Sequence, residues 1–242
     1  MVVPGLEFSP AVTPHTAAHA EVGNWISPLP TLELHDSSSC ARAEVEAYIR
    51  DRFQHKYGAQ IEHFLPQLFS LRCAGLLTGC AGVSSALQHA PLFLEHYLDA
   101  PIEVELQARG LADWEREGIV EIGNLVATSR GASRIVFIVL ASVLHRAGMK
   151  WMVFTATSPL YASLQKLGMP LLRIREADIS RLPAVSNGNW GTYYEHRPEV
   201  VAANLDQAIQ LIDHRKLFHT VQQLFGKQID VLTREFSRSL GQ

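Results

Sequence analysis

Residues 119–169 constrain the fold more than any other stretch of this chain. They read as strand, loop, long helix, strand and helix: IVEIGNLVA, TSRG, ASRIVFIVLASVLHRAG, KWMVFTAT and SPLYASLQKLGM. Two short apolar strands joined across a helix predict a βαβ unit with parallel strands. Such strands are covered on both faces, which accounts for their lack of polar alternation. The helix after Gly131 is apolar nearly all round, so burial on more than one side is expected. Ligands of sheets built this way bind outside the carboxyl ends of the strands. The segment therefore says where to look for function.

Glu121 is the sharpest candidate there. It lies among Ile119, Val120 and Ile122 in a strand expected to be central. A carboxylate in that setting is paired, protonated or facing a cavity. With a raised pKa in a cleft it suits a general base. The alternative is a structural glutamate hydrogen-bonded to a neighbouring loop, and the pattern leaves both open. Asn124, three residues on, faces the other side of a regular strand. A bulge at Gly123 would bring both residues toward one site.

Other candidates carry weaker signals. TSRG precedes a helix, and amides at a helix start favour an anion, with Arg130 and Arg134 adding charge beside Gly131. An ordinary strand-to-helix turn explains it equally well. Thr155 and Thr157 end the second strand, and Ser158 before Pro159 reads as an N-cap. Tyr161 lies on the next helix, as a proton donor at the crevice or as core. Arg72 sits in an apolar strand and needs a partner: a substrate carboxylate or phosphate, Glu121, Glu103 or Glu105. Trp190, Tyr193 and Tyr194 belong to a core strand or to a cleft wall.

Around this unit the elements are less sharply written. Residues 1–30 hold five prolines and little periodicity, and read as a loosely draped arm. Trp25 and Ile26 could anchor it as a lid. Thr31 to His35 suggests a short strand. Ser37–Ser39 offer caps for a helix to Tyr57 with Val45, Ile49 and Phe53 on one stripe, stopped by Gly58. FSLRCAG and CAGVSSA read as antiparallel strands joined near Thr78-Gly79. A short helix follows Pro91, continued or renewed by IEVELQARG, and residues 111–118 form a charged connection. Leu171 to Arg175 is a further strand, and Asn187 to Glu195 a turn followed by an aromatic strand. Residues 205–242 are mostly helical, broken at Gly226. The boundaries are thus an arm over 1–30, an α/β domain over 31–204 and a helical extension over 205–242.

Composition excludes several classes. The 242 residues are 47% hydrophobic and 19% charged, ordinary for a globular protein, with a formal net charge of -3. No global basic field invites nucleic acid. The longest apolar run, Ile135 to Leu144, is about half the ~20 residues a membrane span needs. No secretion signal is legible at the amino terminus, so a cytoplasmic protein is expected. Three cysteines show no paired spacing, and eleven histidines form no HExxH, so no metal site is expected.

Taken together, VEAYIRDRFQHKYGA, LFLEHYLDAPIE, IVEIGNLVA, MVFTAT, LQKLGM and WGTYYEHRPEVVA resemble the thermostable haemolysin family. The resemblance covers residues 40–204. It implies a fold similar to the GCN5-related N-acyltransferases, and particularly to acyl-homoserine lactone synthases: a mixed twisted α/β sheet with a splayed parallel strand pair at its centre. In those synthases a strand E-x-x-R carries the proposed base, a role the resemblance gives to Glu121. Asn124 stands where they have arginine, so the same acceptor is not implied. Acetyltransferases bind the coenzyme A pyrophosphate through R/Q-x-x-G-x-G/A; TSRGAS holds Arg130 and Gly131 without that spacing. Leu164 replaces the tyrosine proposed as general acid, with Tyr161 one turn away.

These departures point away from acetyl-coenzyme A and toward a larger acyl thioester. The implied activity is N-acyl transfer, of a fatty-acyl group, from acyl-coenzyme A or an acyl carrier protein to a small amine or amino-acid-like acceptor, with no tightly bound cofactor. Leu125, Val126 and Ala127 would hold the pantetheine through exposed backbone groups, and backbone N–H groups after the first strand would polarise the acyl carbonyl. Arg130, Arg134, Arg146 and Lys150 are candidates for carrier docking. A haemolytic, membrane-active protein and a catalytically silent acyl-binding fold are the competing readings, and the carboxyl-terminal helices are open to lipid or to an oligomer.

Overall fold

The computed structural model describes residues 29–111, 114–183 and 188–241. The expected amino-terminal arm, apart from Leu29 and Pro30, and the lid anchors Trp25 and Ile26 lie outside them.

Seven strands form one sheet: β1 (Thr31–His35), β2 (Gln67–Cys73), β3 (Leu76–Ser85), β4 (Ile119–Ala127), β5 (Trp151–Ala156), β6 (Leu171–Glu176) and β7 (Glu199–Asn204). Their order is β1-β2-β3-β4-β5-β7-β6. Among the described residues β4 is the fourth of seven strands and β4–β5 the one parallel pair, with all other neighbours antiparallel. The βαβ expectation holds: α3 (Arg130–Arg146) is the crossover, and nine of its residues are buried. An all-round apolar helix follows from its place between the sheet and further helices. α4 (Ser158–Lys166) follows β5, and α5 (Leu205–His214), α6 (Lys216–Leu224) and α7 (Gly226–Leu240) pack against α3. Ile212, Phe218, Phe225, Ile229 and Phe236 join the same core as Val136, Val139 and Leu140. These five side chains face protein, while Leu217 on α6 and Val231 on α7 are exposed.

The other face of the sheet carries α1 (Arg42–Tyr57), a 3₁₀ turn at Phe93–Tyr97 and α2 (Ile102–Gln107). α1 ends at Gly58 as expected, in the left-handed region at φ 67. No serine side chain caps its start; Ser39 contributes its backbone carbonyl to Arg42 instead. Glu95 holds the turn and α2 together. Its carboxylate accepts from the N–H groups of Leu92 and Ile102 and pairs with Arg116 at 2.7 Å.

Three local expectations are corrected. The β2–β3 turn falls at Ala74-Gly75, φ 50 and 81, a two-residue hairpin loop with both residues left-handed. Thr78 is instead the extra residue of a bulge, since Leu71 pairs with Gly79 and Arg72 with Leu77. Tyr193–His196 is a 3₁₀ turn and not an aromatic strand; the strand begins at Glu199. Thr157, not Ser158, is the N-cap of α4.

Among the described residues no helix is long and apolar enough to cross a membrane. Cys40, Cys73 and Cys80 are free thiols; Cys40 is exposed, while burial pushes the Cys80 thiol up to about 12.

Candidate active site

β4 leaves β5 halfway along. The two pair only from Ile119 with Trp151 to Ile122 with Phe154, while β5 continues its ladder with β7 to Ala156. The cause lies on the other edge of β4. Gly82 pairs with Gly123 and Cys80 with Val126, so Asn124 and Leu125 together oppose Ala81. One extra residue bends the strand. Asn124 takes φ 48, a conformation asparagine tolerates better than most residues.

The bulge is held from outside. The Leu65 N–H donates to Asn124 Oδ1 at 2.9 Å, and Asn124 Nδ2 donates to the His63 carbonyl at 3.2 Å. Leu65 lies over two glycines: a Cβ on Gly123 would stand 2.9 Å from its Cδ1, and one on Gly82 3.0 Å from its Cβ. Glycine at both positions lets the 63–65 segment reach the strand.

Beyond the bulge the strands enclose a cleft of about 640 Å³, within the range of small-molecule sites. Glu121, Asn124, Leu125, Val126, Ala127, Thr155, Thr157 and Trp190 all line it. The structure thus gathers eight expected site residues in one place, and the extra residue sets Glu121 and Asn124 on the same cleft.

Glu121 is 4% exposed. Its Oε2 accepts from the Phe93 N–H at 2.8 Å and its Oε1 from the Leu94 N–H at 3.0 Å. Burial pushes its pKa up to about 8, against the pull of those two amides and with a push from Glu95. Glu121 therefore ties down the 3₁₀ turn and also faces the cleft.

A pH dependence of stability follows. The folded pKa lies above the unfolded carboxylate value, so the folded state holds the extra proton between the two. Stability from this group is complete below the unfolded value of 4.5 and is lost as pH rises from there through about 8. Glu121→Gln should flatten that slope in denaturant titrations across this window. Parallel slopes in both proteins would deny the shift.

Other expected site residues lie elsewhere. Arg72 meets neither Glu121, Glu103 nor Glu105: its guanidinium pairs with Glu44 at 2.6 Å and reaches Glu33 at 3.8 Å. It sits near the β1 end of the sheet, away from the cleft. Arg72→Ala should leave turnover unchanged, because the side chain lies outside the cleft; a large loss of rate would contradict that placement. Tyr161 is buried away from the cleft, its ring under the Arg173 guanidinium at 4.2 Å and its hydroxyl near Gln165 Nε2. Its neighbour Leu160 lines the cleft in its place. Arg130, Gly131 and Arg134 are exposed and do not line the cleft; of that segment only Ser133 does. The TSRG loop is a capped turn, with Ser129 Oγ accepting from the Ala132 N–H. Arg146 pairs with Asp230 on α7.

Sequence reasoning offered Trp190, Tyr193 and Tyr194 as a cleft wall, and missed the residues of α1 and the 3₁₀ turn that complete it. Phe53 and Tyr57 from α1, Phe93 and Tyr97 from the 3₁₀ turn, and Tyr193 join Trp190 in an aromatic surface. Tyr97 and Tyr194 share a hydroxyl hydrogen bond of 2.7 Å. His63 stacks on Phe93 with centroids 5.3 Å apart. The signal was the recurrence of aromatics at 53, 57, 93, 97, 190, 193 and 194 in segments distant along the chain.

A family model described as thermostable hemolysin matches residues 35–209. The chain belongs to the thermostable hemolysin family. No curated protein matches it in sequence. Among solved structures, this hemolysin-family chain is similar to FeeM, an N-acyl amino acid synthase from uncultured soil microbes, at 13% identity and TM-score 0.52, covering 79% of this chain and 99% of that one. It is similar to apo TofI at 12% identity and TM-score 0.51, over 78% and 99% of the two chains. TofI in a ternary complex with an inhibitor and MTA matches at 15% identity and TM-score 0.51, over 77% and 98%. At these identities the likeness is one of fold. That fold is the GCN5-related N-acyltransferase-like sheet expected from the sequence.

Proposed function

We propose that this protein is an N-acyltransferase, moving an acyl group from a thioester to a small amine or amino-acid-like acceptor. The observation that carries the reading is the splayed β4–β5 pair, which opens a cleft beside a buried carboxylate of raised pKa. The open edge of β4 over Leu125–Ala127 offers backbone groups on which the pantetheine amides lie as an added strand. Backbone N–H groups beyond the bulge polarise the acyl carbonyl. Glu121 takes a proton from the attacking nitrogen in its ionised form, whose share grows as pH rises toward 8. Thr155, Thr157 and Leu160 wall the donor side, and Trp190 with Tyr193 the acceptor side.

The donor is a fatty-acyl thioester of coenzyme A or of a carrier protein. The shared fold with an N-acyl amino acid synthase favours an amino-acid-like acceptor. The burial of most of the large apolar side chains of α5–α7, with Leu217 and Val231 as exposed exceptions, favours acyl transfer over direct action on lipid.

The test is free-thiol release from long-chain acyl thioesters on coenzyme A and on carrier protein, with a panel of amines, after blocking the exposed Cys40. Thiol release that depends on the amine, with the amide found by mass, is expected. Its absence across the panel overturns the reading.

A further inference from the structure

Joining an ammonium to a thioester removes two protons from one nitrogen. The first must leave before the nitrogen has a lone pair for attack; the second leaves once the C–N bond has formed. When the C–S bond breaks, its electron pair goes to sulfur, and the thiolate takes up one proton. The products are an amide, a thiol and one proton released to water. One proton is thus recycled inside the site and one has to get out.

The cleft holds two groups in matching situations. Glu121 is almost fully buried, so a proton it accepts is well placed to be handed to the leaving sulfur. His63 also lines the cleft but is solvent-exposed. Its position is set on both sides. Asn124 holds its carbonyl at the bulge, and its ring stacks on Phe93 at an interplanar angle of 20°. The Phe93 N–H is the same group that donates to Glu121. Two hydrogen bonds and one ring stack thereby place an imidazole and a carboxylate on a single cleft.

We infer that His63 accepts the first proton from the acceptor's ammonium and passes it to water, while Glu121, entering the step as the carboxylate, accepts the second and returns it to the thiolate. The inference rests on the acyltransferase reading above. Loss of water on the covered side of the ring lowers the His63 pKa, with His96 beside it adding to the effect, so the imidazole is neutral at pH 7. The two pKa values are pushed in opposite directions, as suits a pair with divided roles. The other charged groups on the cleft are Arg52, His55 and Lys56 at the end of α1.

The experiment compares wild type with His63→Gln and with His63→Phe, which keeps an aromatic ring against Phe93. Thiol release is followed from about pH 6 to 9 with an alkylamine acceptor and with its aminooxy analogue, whose nitrogen is unprotonated at neutral pH. With the alkylamine, both variants should lose about 10²-fold in kcat/KM at pH 7 and recover toward pH 9, as the free amine appears. Below pH 8 the log rate should climb with a slope of about two per pH unit in the variants and about one in wild type. With the aminooxy acceptor the variants should match wild type. Equal losses with both acceptors at every pH would make His63 a structural residue and overturn the inference, as would unchanged rates with the alkylamine. Silence of the wild type with every acceptor would instead remove the acyltransferase reading itself. Melting curves establish that both variants are folded.

Discussion

Glu121→Gln should abolish acceptor-dependent acyl transfer, lowering kcat by about 10²-fold or more. The side chain keeps its size and its place under the Phe93–Tyr97 turn. One amide oxygen still accepts one of the two backbone N–H groups at 2.8 and 3.0 Å. The NH₂ group opposes the other, which costs about 1–3 kcal/mol of stability. That cost is opposed by relief of a carboxyl that burial has already pushed up to about 8. Stability and activity therefore separate in this variant: a modest change in melting, a large loss of rate. Single-turnover thiol release on folded protein measures the second directly. An unchanged rate would leave Glu121 as the clasp of the 3₁₀ turn and nothing more, the alternative its strand pattern left open.

Gly191→Ala is expected to destabilise the protein by about 3 kcal/mol or more. Gly191 has φ 51, and a Cβ there would stand 1.9 Å from the Tyr57 carbonyl oxygen and 2.8 Å from the Gly58 carbonyl carbon. A Cβ has no rotamer to move through, and the atoms it meets are backbone. The loop must lift off the end of α1. Doing so breaks the Thr192 N–H to Tyr57 carbonyl bond at 2.8 Å and the Gln60 N–H to Asn189 carbonyl bond at 2.7 Å. It also parts Tyr193 from Tyr57, whose rings meet edge to face at 5.2 Å. For a chain of this size the melting temperature should fall by about 6–12 °C. Tryptophan fluorescence should shift as Trp190 loses its ring contacts with Phe93 and Tyr193. An unaltered melting temperature would mean that the loop does not rest on α1.

What the sequence made legible follows from the range over which each signal acts. The β4–α3–β5 unit is local and strongly apolar, so its periodicity could be read without knowledge of any neighbour. Glu121 stood out because a lone acid in an apolar strand is expensive wherever the strand goes. The partners of charged residues were not legible. Arg72 meets Glu44 and Glu33 only because α1 and β1 lie beside β2, and no spacing rule encodes that. Tyr161 was placed near the crevice by proximity along the helix, but its neighbour Leu160 turns inward and Tyr161 turns under Arg173. The aromatic wall is assembled from three distant segments, and only tertiary packing brings them together. Glycines at 79 and 82 announced an irregular hairpin, yet both a turn and a bulge satisfy glycine, and the turn fell at Ala74-Gly75.

The opening in the sheet is encoded as a count. Between the Gly82–Gly123 pair and the Cys80–Val126 pair, β3 spends one residue and β4 spends two. That difference also reverses which side chains face which helices. Before it, Val120 and Ile122 lie on the α3 side with Glu121 opposite; after it, Leu125 and Ala127 lie on the α3 side and Val126 on the α1 side. Residue identity at the extra position is secondary to its being there. Chains that share this architecture at 12–15% identity are therefore better compared by the number of residues between successive rungs of this ladder than by the letters that fill them.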